Sequence, residues 1–172
     1  MPLTTYTSGE VLTAASLNAN FTFAAANPTS KIAQVVNFTS ATQTTSTSTS
    51  FVTSGIAATI TPTLNTSKIL IMVSTAVRNS NGSYISQFTL FRGTVAGTNI
   101  GEATSGFNTF GATGQLYTNL AISYIDSPAT TSATTYTLGM KVNNAANTVY
   151  AQDGPWGGTG STSSMVLVEV LA

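Results

Sequence analysis

The chain has 172 residues and zero formal net charge, five Lys or Arg against five Asp or Glu, so only 6% of its side chains are charged. No basic face is available to neutralise a run of phosphates, which argues against nucleic-acid binding. Having neither His nor Cys, the chain lacks the usual general base near neutral pH, disulfides, and imidazole or thiolate metal sites. Average soluble domains carry about 25% charged residues; here Thr, Ser, Asn, Gly and Ala take their place. That neutral covering suits a structural or adhesive component packed against copies of itself, and no enzyme activity, catalytic residue, metal or cofactor is expected.

Met1 to Tyr6 lacks the basic start and apolar core of a secretory signal, and no run approaches the roughly 18 apolar residues of a membrane span. Synthesis and assembly in a cytoplasm, without membrane insertion, are expected. The first predicted element is a helix over 13–26. Thr13 is its N-cap, Leu17, Phe21 and Ala24 or Ala25 form a narrow apolar stripe, and Asn27-Pro28 ends it. So short a helix is marginal in water, so the stripe should dock on its own domain or on another chain.

From Ile32 the hydrophobic period changes to two, and turn clusters separate runs of β-branched and aromatic residues. Strands are predicted from Ile32 to Phe38, Ile56 to Ile60, Lys68 to Val77, Tyr84 to Arg92, Leu116 to Ile125, Thr134 to Val142, Thr148 to Gln152 and Ser164 to Leu171. The fold class is all-β. In the strand from Thr134, Tyr136, Leu138, Met140 and Val142 share one face, leaving Thr137, Gly139 and Lys141 on a wet one. Ile69 to Val73 and Met165 to Leu171 are apolar on both faces. One cover is the opposing sheet of a sandwich, and the other is expected to be a second subunit.

The Thr/Ser run from Gln43 to Ser50 reads as an edge strand or a flexible connection. Asn81-Gly82 is a hairpin-turn signal. Asp126 and Ser127 are expected to cap a turn with their side-chain oxygens, Pro128 ending the strand before them. Glu169 falls on an apolar face, where it needs either a cation from a neighbouring subunit or an edge open to water.

Candidate contact residues lie in loops. Trp156 sits in a glycine frame beside Asp153, an arrangement suited to stacking a sugar ring, or else folds back on the sandwich. Phe107 and Phe110 put apolar rings on a long loop, and Arg78 and Tyr84 flank the Asn81-Gly82 turn. Glycan hydrolysis needs paired carboxylates, whereas Glu10, Glu102, Asp126, Asp153 and Glu169 are isolated; only Glu102 and Asp153 sit on loops that could approach each other.

Tyr6 to Phe21, with its Gly9, Val11-Leu12-Thr13-Ala14 and Leu17-Asn18 preceding Phe21, resembles an N-terminal segment of bacteriophage tail-fibre and related virion proteins. Ser67 to Ile71, Phe88 to Gly93, Tyr124 to Leu138 and Ser164 to Val170, in that order, resemble the C-terminal jelly-roll domain of phage virion proteins, similar in shape to tumour-necrosis-factor and C1q heads. The resemblance implies residues 1–30 as a virion-anchoring segment, with Val11, Leu12, Leu17 and Phe21 as the anchor, and residues 31–172 as an antiparallel jelly-roll β-sandwich, trimeric about a threefold axis. It further implies a short tail fibre held by other virion proteins through its N-terminus and meeting a host glycan or protein. The alternative is a capsid decoration or head-fibre protein of the same fold.

Overall fold

A computed structural model describes residues 5, 9, 13–26, 31–111, 114–154 and 160–171, with side chains of 21–26 and 108–110 left out of account. The chain divides into two compact units, Met1–Lys31 and Ile32–Ala172. In the first, α1 spans Ala14–Ala26. Its start is capped as the sequence predicts: Thr13 Oγ1 accepts from the Ser16 amide at 3.2 Å, and the Thr13 carbonyl accepts from the Leu17 amide at 3.0 Å. Contrary to the expected stripe, the helix sequence has almost no one-sided hydrophobicity, its alanines falling all round the axis.

The second unit is an antiparallel β-sandwich. Its strands are β1 (Ile32–Ser40), β2 (Thr44–Ser46), β3 (Val52–Ile60), β4 (Lys68–Asn79), β5 (Ile85–Arg92), β6 (Thr98–Asn99), β7 (Asn108–Gly111), β8 (Leu116–Asp126), β9 (Thr134–Val142), β10 (Val149–Ala151) and β11 (Ser163–Val170). One sheet runs β1, β11, β4, β8, with β2 and β10 continuing the lines of β1 and β11; the other runs β3, β9, β5, with β6 and β7 both on the free edge of β5. Counted as eight strand positions, the orders are first, eighth, third, sixth and second, seventh, fourth, fifth. That is the jelly roll.

Period-two alternation places the core. Ile56 and Ile60 of β3, Ile69, Ile71 and Val73 of β4, Phe88 and Leu90 of β5, Leu120 of β8, Leu138 and Met140 of β9, and Met165 and Leu167 of β11 all turn inward and are buried. At one end the sheets are tied by charge. Asp126, closing β8, takes the Arg92 guanidinium from the end of β5 (Nε to Oδ2 2.8 Å) and the Tyr136 hydroxyl from β9 (2.7 Å). The carboxylate takes the Ser127 amide at its own turn, as expected, and is in addition a clamp between the layers. Burial alone would raise its pKa, but the bonds from Arg92 and Tyr136 outweigh that and lower it.

Of the two readings of the Thr/Ser run, the edge strand holds at Thr44–Ser46, which pairs with β10. The sequence misses two short strands, β6 and β7, which lie in segments too polar and glycine-rich to show a period. The Asn81-Gly82 hairpin is also corrected. β4 and β5 belong to different sheets, so the link is an arch, and neither Asn81 nor Gly82 has the positive φ of a tight hairpin turn. The buried Asn79 and Asn147 amides hold it, Asn79 donating to the Asn81 and Tyr84 carbonyls at 2.9 and 3.0 Å.

The wet face of β9 is only partly wet. Thr137 and Gly139 are buried, because Phe91 packs across the outside of the sheet in an edge-on contact with Phe51, 5.7 Å between centroids. A Cβ on Gly139 would stand 2.6 Å from Phe91 Cε2, so the missing side chain makes room for the ring.

Candidate functional site

The outward face of the six-stranded sheet changes character along β4. Leu70 pairs with Ile125 on β8 and Val168 on β11, and Val168 pairs with Val35 on β1, giving an apolar row across all four strands. Val35 is 59% and Ile125 57% exposed, with Met72 in the next row at 37%. Ser74, Ala121 and Ser164 then form a row of small residues. Beyond it, Arg78 pairs with Tyr117 on β8 and Tyr150 on β10.

Register alone therefore sets Arg78 between two tyrosines, because directly opposed residues share a face. Its Cζ lies 3.4 Å from the Tyr150 ring centroid and 5.4 Å from that of Tyr117. Nε donates to Asp153 Oδ2 at 2.8 Å and Nη2 reaches Oδ1 at 3.4 Å; the Gln43 amide donates to the same carboxylate. Arg78 and Asp153 are both buried. Burial alone would lower the arginine pKa, but Asp153, aided by Tyr150, raises it, so the cation is fixed at every accessible pH. The Asp153 amide donates to the Ala76 carbonyl at 3.1 Å, holding the carboxylate over the end of β4.

Beside this pair opens a cleft of about 370 Å³ whose lining includes Ala76, Tyr117, Asn119, Asp153, Gly154 and Ser161. Tyr117 is 47% exposed, and the exposed side-chain amide of Asn119 has no partner among the described residues. Ser161 Oγ donates to the Asp153 carbonyl at 2.6 Å.

The other carboxylates hold structure. Glu169 is fully buried and meets neither a cation nor water. Its Oε1 accepts from the Thr63 amide, Thr63 Oγ1 and Ser67 Oγ, and its Oε2 from Gln34 Nε2, each at 2.7 Å. Burial pushes its pKa up, but the bonds from Gln34, Ser67 and Thr63 prevail and hold it at about 2. The expectation of a neighbouring Lys or Arg, or of an open edge, is corrected: the β3–β4 connection itself supplies hydroxyls and an amide. Glu102 is held below the usual carboxylate range by the amides of Thr104 and Ser105, in its own loop. Among the described residues no three carboxylates converge.

Of the residues singled out from sequence, the structure joins Arg78 and Asp153. Tyr84 is half-buried in the β4–β5 arch. Phe107 is half-buried against the core, edge-on to Tyr124 with centroids 5.0 Å apart. Leu17 is half-buried on α1. Trp156, Val11 and Leu12, and the side chains of Phe110 and Phe21, lie outside the described residues. Tyr117, Tyr150, Asn119 and Gln43 were missed. Each is an ordinary strand or loop residue in sequence, and only the register brings them to Arg78 and Asp153. No protein-family model matches this chain, and no curated protein does.

Proposed function

We propose that this chain is a non-enzymatic bacteriophage virion protein, a short trimeric fibre attached to the tail by its N-terminal segment and meeting the host surface through its jelly roll. The observation that carries the reading is the outward row Val35, Val168, Leu70 and Ile125 on a chain with almost no surface charge. Exposed apolar rows flanked by polar residues mark association surfaces, and closed rings of identical subunits cover them without leaving an open end. The likeness of Tyr6 to Phe21 to phage fibre segments supplies the anchor.

A non-catalytic role is supported by the carboxylates. Asp126, Asp153, Glu169 and Glu102 are each engaged by structural partners, and Glu102 and Asp153 are bound within separate networks. The fibre is assembled in the host cytoplasm and works on the finished particle. Electron microscopy of virions labelled with an antibody against residues 32–172 tests the reading. Label at the tail is expected; label over the capsid would replace the fibre by a decoration protein, and unlabelled particles would overturn a virion role.

A further inference from the structure

We propose that the cleft beside the Arg78–Asp153 pair binds an uncharged saccharide, with Tyr117 as the stacking face and Asn119 as the polar contact. This deepens the attachment reading and rests on it for its biological setting, though not for its chemistry.

The argument begins with what the cleft lacks. Arg78 is already neutralised by Asp153 and covered by Tyr150, so among the described residues no free cation lines the opening to attract a phosphate, sulfate or uronate. What remains is the half-exposed tyrosine ring, the unpartnered Asn119 amide, and small residues at Ala76 and Gly154 that let a ligand come close. An amide offers two donors and an acceptor. The Asp153 carboxylate is spent on Gln43 and Arg78 beneath the surface, so it adds no exposed negative charge to the opening. An aromatic face beside such an amide matches a ring with one apolar side and a rim of hydroxyls. The volume, at the low end of the roughly 300 to 1,000 Å³ of small-ligand sites, suits a mono- or disaccharide unit within a longer chain.

The position also fits. Ala76, in the cleft lining, lies six residues along β4 from Leu70, about 20 Å at strand rise. Subunits that cover the apolar row thus leave the cleft outside the contact, and each of several copies presents one weak site, from which avidity follows.

Saturation-transfer NMR on the full chain, with methyl glycosides of glucose, galactose, mannose, rhamnose and N-acetylglucosamine at millimolar concentration and methyl glucuronide as the charged comparison, tests the proposal. At least one neutral glycoside is expected to bind, and the glucuronide to bind at least tenfold more weakly than the best of them. Both N119A and Y117A should weaken binding tenfold or more. N119A replaces an exposed side chain and leaves the ion pair intact, so unchanged melting shows that its loss is one of contact. No transfer from any neutral glycoside, preference for the glucuronide, or binding unchanged in both variants would overturn the cleft. Adhesion to host surface proteins without sugar binding would also overturn it while preserving the fibre. Sugar binding by a protein absent from every virion would preserve the cleft and overturn the fibre.

Discussion

The Arg78 guanidinium carbon sits 3.4 Å from the centroid of the Tyr150 ring, its cross-strand neighbour, while its Nε is 2.8 Å from Asp153. A planar cation is thus used on its face and its edge at once. Arg78→Lys keeps the charge but loses both the stacked plane and the fork, and is expected to cost about 1 to 2 kcal/mol. Arg78→Ala leaves a buried carboxylate without its cation and should cost about 3 to 5 kcal/mol. Urea denaturation of the two variants checks the order; equal losses would mean that a retained charge contributes nothing without the stacked plane and the fork.

Glu169 sets an acid limit. Its folded pKa of about 2 lies below the ordinary 4.5, so the folded state binds this proton less readily than the unfolded chain. The stabilisation is present in full above the unfolded value and is lost as pH falls through the folded one. Melting temperature should therefore hold nearly flat from about pH 5 to 8, where no His or Cys titrates, then fall between about pH 5 and 2. Glu169→Gln should lower stability by about 1 to 3 kcal/mol at neutral pH and make the acid fall shallower. A slope unchanged in this variant would assign the acid loss to Asp126, whose pKa is also lowered.

Gly139 tests the covering of the outer face. Gly139→Ala places a methyl against the Phe91 ring, which Phe51 backs, and overpacking of this kind costs about 1 to 3 kcal/mol. In a Phe91→Leu background the same alanine should cost less. A double-mutant cycle with no coupling would show that the ring yields freely.

The apolar row should govern assembly. Val35 and Ile125 are more than half exposed, so Val35→Asp with Ile125→Asp should leave the subunit folded by circular dichroism yet release monomer in sedimentation velocity. A variant that sediments as wild type would place the contact elsewhere.

Much of the fold was legible because alternation is strong wherever a strand has one face in the core. Eight of the strands were found with ends within a few residues, and Thr134–Val142 agrees at both ends. Strands β6 and β7 span only two and four residues, too few for a period to register, and the three residues of β2 were read from composition as an edge strand or a connection. The site was half legible. Arg78 and Asp153 stood out as charges in a neutral chain, but their meeting with Tyr117 and Tyr150 depends on pairings between residues far apart in sequence. Glu169 misled for a related reason: its partners are hydroxyls and amides from Gln34, Thr63 and Ser67, residue types so common here that none signalled a cage.

The strand order also dictates a timetable. The ladder partner of β1 is β11, about 130 residues further along the chain. At roughly 5 to 20 residues per second, a ribosome exposes Val35 and Phe38 for roughly 7 to 26 seconds before their partners exist. Through that wait the strand has no ladder partner of its own, so β1 joins the sheet only after β11 has been made.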